Sequence, residues 1–181
     1  TGCDTTLAQI CADCLCCDLE NVVPHGVDTD VSPYDSGSYA SSTAYLTGTA
    51  AVKASQRMVQ KIREKGAEYL GCPAEDVDFD GERVYKTDGT GEILLKDLAN
   101  QMMCHNDQAL EVVETCTSEV SPPPFMVGIA EIELDRETGH YDLVDYVAVV
   151  DCGTSLNPNL TRVQTEGGLG QGIGMAMFED V

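Results

Sequence analysis

Positive charge is scarce in this sequence of 181 residues, in which 10 Lys and Arg face 31 Asp and Glu. The formal net charge of −21 argues against binding to a nucleic-acid backbone or to an anionic membrane surface. None of the apolar runs approaches the roughly 20 residues that a membrane-spanning helix needs, so no membrane partner is expected. An anionic ligand would have to be held by local hydrogen-bond donors that outweigh the negative field of the chain.

The cysteines do not indicate a disulfide framework. Their number, nine, is odd and no secretory signal is recognisable, which together predict a reducing, cytoplasmic location. Four of them are close in sequence: Cys11, Cys14, Cys16 and Cys17. The second Cys-x-x-Cys or the His pair that would complete a zinc site is missing. Because residues 7–15 follow an apolar helical pattern, core packing is favoured, and a non-catalytic metal-binding module is the alternative.

A junction rich in hydroxyl groups is the most informative stretch of the chain. Residues 35–48 pass from turn formers into a long helical pattern, and four hydroxyl side chains crowd the boundary: Ser38, Ser41, Ser42 and Thr43. The unpaired N–H groups of a first helical turn, with the positive end of the helix dipole, form an anion site. Gly37 and Ala40 allow close backbone approach. Two interpretations stay open, an ordinary N-cap and a binding site for a phosphate or a polar cofactor.

Periodicity and turn residues predict the remaining elements. Helices are predicted over 5–19, from Thr43 to about Lys65, over a segment that ends at about Met103, and over about 160–178. Gly66 is predicted as the C-cap of the second of these helices. One hairpin is predicted around Asp80-Gly81, and a second one pairs 125–134 with 141–151. The mixture predicts an α+β fold, in which long helices pack on a mostly antiparallel sheet with two hairpins.

The last predicted helix contains five glycines between residues 167 and 174. Their spacing does not match the glycine pattern of a dinucleotide-binding turn. Each glycine costs a helix about 1 kcal/mol relative to Ala, so their number implies close packing against another element or a ligand. Gln164 and Gln171 lie two turns apart on one face, and a Gln amide can pair with the edge of a heterocycle. Tight helix packing would explain the glycines but not both glutamines.

Several motifs in register resemble the molybdenum-binding large subunit of the xanthine dehydrogenase/aldehyde oxidase family. They are FMVGIAEIELD with ETG at 125–139, VDCGTSLNP at 150–158 and QTEGGLGQG at 164–172. The opening TGCDT and the DTD at 28–30 followed by SGSYASS at 36–42 fit the same family. The resemblance covers nearly the whole chain and identifies 1–181 as a fragment of the second molybdenum cofactor-binding domain, with sub-halves 1–75 and 76–181.

The resemblance implies an oxidoreductase with a molybdenum–molybdopterin cofactor, which hydroxylates an N-heterocycle or an aldehyde with water as the oxygen source. Electrons would leave through iron–sulfur clusters to FAD on other domains or subunits. The expected partners are therefore a small-molecule substrate, the remaining molybdenum domain, and the iron–sulfur and flavin components.

The resemblance also assigns cofactor-binding residues: Gly2, Ala40, Ser41, Ser42, Thr43 and Gln164. Thr1 stands where the family has a Gln in the cofactor loop, which leaves a degenerate structural domain as a further alternative. The catalytic Glu of the family follows the last helix and is expected beyond residue 181. Glu166 is interpreted as helix surface, so no catalytic residue is assigned, the isolated fragment is expected to be inactive, and its exposed faces are expected to self-associate.

Overall fold

The structure is a computed structural model that describes residues 2–26, 28–30, 32–120 and 122–180. These residues form helices and antiparallel strands. The elements are α1 Cys3–Leu15, α2 Thr43–Leu70, β1 Val77–Phe79, β2 Arg83–Lys86, β3 Glu92–Leu94, α3 Leu95–Cys104, β4 Phe125–Leu134, β5 Tyr141–Asp151 and α4 Pro158–Met177. Contacts divide them between two units, Gly2–Glu119 and Val120–Val181. The predicted α+β class is confirmed.

The first unit is built around α2, whose second half packs on an antiparallel sheet in the order β1-β2-β3. Its core consists of the buried residues Ile62, Ala67, Val77, Val84, Leu98 and Met102. Val77 and Val84 are fully buried, which fits the hairpin predicted around Asp80-Gly81. Because this core joins α2 to the strands and to α3, the two units do not coincide with sub-halves 1–75 and 76–181.

The end of α2 differs from the prediction. The helix continues to Leu70, and Gly71 with φ +65° forms the C-cap that was expected at Gly66. Gly66 is instead buried inside the helix, where a Cβ would lie 2.6–2.8 Å from the side-chain atoms of Val84. The glycine therefore allows the sheet to approach α2 closely and does not stop the helix.

Helix α1 runs in the same direction as α2. Ile10 of α1 contacts the start of α2, since a Cβ on Gly48 would lie 3.1 Å from Ile10 Cδ1. Cys16, just past the end of α1, abuts Gly81 in the β1–β2 turn, and β2 packs on the second half of α2. Both helices thus begin at the same end. Helix α1 also occupies Cys3–Leu15 and not the predicted 5–19, because Cys16 adopts a left-handed conformation.

Residues 110–118 form no strand and run back along α2. Lys61 Nζ donates to the Glu111 carbonyl at 2.7 Å, and Arg57 pairs with Glu114 at 2.5 Å. Nearer the start of α2, Ser118 Oγ donates to Tyr45 Oη at 3.5 Å. Side chains of α2, two of them cationic, therefore hold this segment along the helix.

The second unit contains the β4–β5 hairpin and α4. Both strands have the bounds that the sequence predicts, with a bulge between Glu131 and Ile132. Asn157 caps α4 by accepting from Leu160 N at 3.1 Å, and Tyr141 Oη donates to the Ala176 carbonyl at 3.1 Å. None of the residues that the structure describes in this unit is buried, and β4 is exposed along its whole length.

Across the described residues, no helix combines the length and the apolar character that crossing a membrane requires.

We expect Gly66→Ala to destabilise the first unit, although Ala favours helix. Overpacking against the buried Val84 costs about 1–3 kcal/mol, whereas Ala gains about 1 kcal/mol over Gly in a helix. Because a Cβ at Gly66 would lie within 2.8 Å of three side-chain atoms of Val84, we expect a cost near the upper end of this range. The net loss is then about 2 kcal/mol and is measured from the urea unfolding curve. Gly91→Ala is the matched control, because its Cβ would have ordinary contacts at 3.8 Å. Equal stability of Gly66→Ala and the unmodified chain would contradict the proposed close approach.

Asp107 should make stability depend on pH in the acid range. Its pKa is lowered by a hydrogen bond from Lys65 Nζ at 3.2 Å and then by one from Tyr69 Oη at 3.1 Å. Because the carboxyl group of Asp107 has a lowered pKa in the folded state, its ionised form stabilises the fold at pH values above the unfolded pKa of about 3.9. This stabilisation is lost as the pH falls through the folded pKa.

The urea midpoint of Asp107→Asn should therefore lie below that of the unmodified chain at pH 6 and converge with it on acidification. Asp97→Asn on the neighbouring helix α3 is the control. A difference that stays constant from pH 6 to below the folded pKa would show that the carboxylate charge is not involved.

Candidate functional site

The turn that leads into α2 has an unusual backbone. Ala40 has φ 52° and ψ 31°, and Ser41 has φ 56°, so two successive non-glycine residues are left-handed. This conformation costs an L-residue roughly 1–2 kcal/mol. Hydrogen bonds from Ser41 N to Ser38 O and from Ser42 N to Tyr39 O, both 3.2 Å, close the turn. A strained turn that its surroundings hold in place is typical of a functional site.

Hydrogen-bond donors are available immediately after this turn. The first bond of α2 runs from Leu46 N to Ser42 O at 2.7 Å, and Ser42 makes no side-chain cap. Within the part of the chain that the structure describes, no acceptor binds the backbone N–H groups of Thr43, Ala44 and Tyr45. The dipole of this 28-residue helix adds about half a positive charge at the same end. These groups can bind an anion.

The loop before the turn is fastened to α2 at two points. Ser38 Oγ and Thr43 Oγ1 are hydrogen-bonded at 2.5 Å. Asp35 accepts from Gly37 N at 2.6 Å and from Thr47 Oγ1 at 3.5 Å. Thr43 and Thr47 lie one turn apart on the same face of the helix. The sequence does not predict the contact between Asp35 and Thr47, because the two residues are twelve positions apart.

Gly2 lies at the same end of the helix pair as this turn. It is the N-cap of α1 with φ 70°, and its carbonyl accepts from Thr6 N and Thr6 Oγ1 at 3.0 and 3.1 Å. The contact of Ile10 with Gly48 fixes the two parallel helices relative to each other. At about 1.5 Å per residue, Gly2 is then level with residues 40–43. Thr1, the position that departs from the family pattern, lies outside the described residues.

Lys and Arg are missing from the sequence around this turn. The sequence has no Lys or Arg before Lys53, which follows the start of α2 by ten residues. The loop before the turn contributes the acidic Asp35. An anion bound here would depend on backbone N–H groups and hydroxyls, as the composition requires.

Gln164 belongs to the second unit, where it is exposed on α4. The structure therefore groups Gly2 with Ala40–Thr43 in the first unit and leaves Gln164 in the other. Glu166 pairs with Arg162 on the exposed surface of α4, with Oε1 2.6 Å from Nε. This ion pair fits the interpretation of Glu166 as helix surface.

The cysteine cluster provides no metal site. Among the described residues, no group of three or more His, Cys, Asp or Glu side chains could hold a metal ion. Burial, followed by the charge of a neighbouring aspartate, raises the pKa of the Cys14 and Cys17 thiols. The alternative of a metal-binding module finds no support in this part of the chain. The cysteines are only partly packed, since the buried residues of α1 are Ala8 and Ala12.

An anionic pterin cofactor fits the donor set at the start of α2. Unpaired N–H groups and exposed or half-buried hydroxyls converge where no side-chain cap competes for them. The small side chains of Ala40 and Ser41 keep the backbone accessible. The start of α2 can therefore hold an anionic ligand through backbone N–H groups and hydroxyls.

The chain is similar to known proteins along its whole length. The chain is 31% identical over 184 residues to the probable hypoxanthine oxidase XdhD of Escherichia coli K12, covering 100% of this chain and 19% of that protein. It is 30% identical over 185 residues to the carbon monoxide dehydrogenase large chain of Hydrogenophaga pseudoflava, covering 99% and 23%. The chain thus spans about a fifth of the length of these relatives.

The fold is shared with a solved structure. Reconstituted CO dehydrogenase from Oligotropha carboxidovorans superposes with a TM-score of 0.66 at 27% identity, covering 93% of this chain and 22% of the other. The family model described as a molybdopterin cofactor-binding domain matches residues 1–181. The resemblance to large subunits of the xanthine dehydrogenase type is confirmed, and the chain belongs to the molybdopterin cofactor-binding domain family.

Proposed function

We propose that this chain is a cofactor-binding part of the catalytic subunit of a molybdenum hydroxylase. The observation that carries the proposal is the strained turn at Ala40 and Ser41, followed by the unpaired N–H groups of α2, in a chain of the molybdopterin-binding family. When bound, the molybdenum cofactor would supply the redox chemistry that hydroxylates an N-heterocycle or an aldehyde.

The residues of this chain would bind and orient the cofactor. The N–H groups at the start of α2 would hold its anionic part, and the hydroxyls of Ser42 and Thr43 would add hydrogen bonds. Gly2 would bring the backbone before α1 close to the same ligand. Gln164 would contribute an amide, which can both donate and accept.

The chemical step would use groups elsewhere in a longer polypeptide. Glu166 is paired with Arg162, so we assign no catalytic residue to this chain and expect the isolated chain to be inactive. Iron–sulfur clusters and FAD would lie on other domains or subunits, with the remaining molybdenum domain as the immediate partner. The assignment of residues 1–181 to the second molybdenum domain and the cytoplasmic location stay predictions.

The proposal is tested by the molybdenum and pterin content of the native gene product, together with its intact mass. We expect a polypeptide much larger than 19.4 kDa that carries molybdenum. Gln164→Leu should lower the molybdenum retained after dialysis by about 2- to 12-fold, the effect of one lost hydrogen bond of about 0.5–1.5 kcal/mol.

Gln60→Leu is the matched control, because Gln60 lies on the exposed surface of α2 and bonds to Glu64. A native product without molybdenum would support the degenerate structural domain instead. If the Gln164→Leu variant retains all of its molybdenum, the proposed function stands but Gln164 is not part of the site.

We further propose that the isolated chain associates with a second copy of itself through the β4–β5 hairpin. Among the described residues β4 and β5 pair only with each other, so each presents one unpaired edge. Large apolar side chains are exposed along the same strands, for example Val127 at 65% and Val149 at 68%. These two residues are cross-strand partners.

Light scattering of the isolated chain should therefore give a mass above 19.4 kDa that falls with dilution. Combined Val127→Thr and Val149→Thr substitution should shift the equilibrium towards the monomer. Val113→Thr in the first unit is the control, since Val113 is also 65% exposed. A monodisperse monomer across the concentration range would contradict association.

A further inference from the structure

Few interactions hold the loop from Asp35 to Ser42 in place, and the ones made by Asp35 lie outside the proposed binding surface. Ala40 and Ser41 adopt a left-handed backbone that small polar loops do not maintain on their own. All residues from Asp35 to Ser41 are exposed, so no hydrophobic contact buries the turn. Its conformation must depend on hydrogen bonds to the helix that follows.

Among the described residues, two hydrogen bonds between side chains connect this loop to α2. The inner link, between Ser38 and Thr43, involves residues of the proposed binding surface itself. The outer link is made by Asp35, whose two carboxylate oxygens bind different parts of the chain. Oδ1 accepts from Gly37 N at 2.6 Å within the loop, and Oδ2 accepts from Thr47 Oγ1 at 3.5 Å on α2.

Thr47 is a firm anchor for the outer link. It is half-buried and directly precedes Gly48, which is buried against Ile10 of α1. The position of Thr47 is therefore set by the packing of the two helices. Through its two hydrogen bonds, Asp35 fixes Gly37 relative to Thr47. Gly37, with a φ of +99°, begins the change of direction towards Ala40.

We propose that Asp35 is a positioning residue for the cofactor. By bridging Gly37 and Thr47 it holds the Ala40–Ser41 turn in the conformation that leaves the first N–H groups of α2 free to bind. Asp35 would not touch the cofactor, and an acidic group in contact with an anion would be unfavourable. The inference rests on the proposed function and adds to it a residue that acts through the loop.

The test uses the full-length gene product with the substitutions Asp35→Ala, Asp35→Asn and Thr47→Val. Asp35→Ala and Thr47→Val should speed the loss of molybdenum during dialysis, roughly tenfold for Asp35→Ala, the effect of removing charge-assisted hydrogen bonds. Asp35→Asn should restore most of the retention, because its amide oxygen still accepts one of the two bonds. Amide hydrogen exchange at Ser41 and Ser42 should become faster in Asp35→Ala before any cofactor is bound.

Asp88→Ala is the matched control. The Asp88 carboxylate also accepts one backbone N–H and one hydroxyl, from Thr90 at 2.9 and 2.7 Å, but it lies in the β2–β3 turn. The Asp88→Ala variant should lose molybdenum at the same rate as the unmodified protein. The thermal midpoints of the apo forms of Asp35→Ala and Asp88→Ala should be equal, so that cofactor loss is separated from unfolding.

Two results would overturn the positioning role. One is retention of molybdenum by Asp35→Ala at the unmodified rate. The other is loss that follows a lowered thermal midpoint, which would make Asp35 a general stabilising residue. Absence of molybdenum from the unmodified product would reject the proposed function and the positioning role together, which distinguishes the two failures.

Discussion

The close approach of α2 to its neighbours is the constraint on which the first unit depends. Gly48 lets α1 pack at the start of the helix, and Gly66 lets the sheet pack near its end. A side chain at Gly66 would collide with Val84, which is fully buried. These contacts fix the direction of α1, and that direction brings Gly2 level with the strained turn. The packing of the core thus places the binding surface.

Recognition by the backbone suits a protein that has so few cations. With a net charge of −21, side-chain cations at the site would have many carboxylates to pair with. Backbone N–H groups cannot be neutralised in this way, and their direction is fixed by the helix. At physiological ionic strength, charges beyond about 8 Å are largely screened, so donors in direct contact outweigh the distant acidic residues. The overall charge therefore disfavours binding to a nucleic-acid backbone without excluding an anionic cofactor.

Local signals in the sequence predict much of the fold and fail where a distant contact decides. The bounds of β4 and β5 follow from alternating residues and the turn at 135–140, which are properties of neighbouring positions. The end of α2 cannot be predicted in this way. A glycine after Lys65 is equally compatible with a C-cap and with a buried close contact, and the choice depends on Val84, eighteen positions away.

The candidate site shows the same division. Hydroxyls crowded at a helix start predict an anion site, and the structure adds that the N–H groups there are unpaired. The left-handed backbone at Ala40 and Ser41 has no signal in the sequence, because neither residue prefers that conformation. The part played by Asp35 depends on Thr47, twelve positions later, and becomes visible only when the loop is seen folded back along the helix.

The second unit differs from the first in what stabilises it. A domain that folds alone has a hydrophobic core, yet none of the described residues from Val120 onwards is buried. The hairpin is held by cross-strand hydrogen bonds, and α4 contains glycines at 167, 168, 170, 172 and 174 that reduce helix stability. With no buried residue to offset these costs, the described part of this unit depends mainly on backbone hydrogen bonds, whereas the first unit has a hydrophobic core around α2.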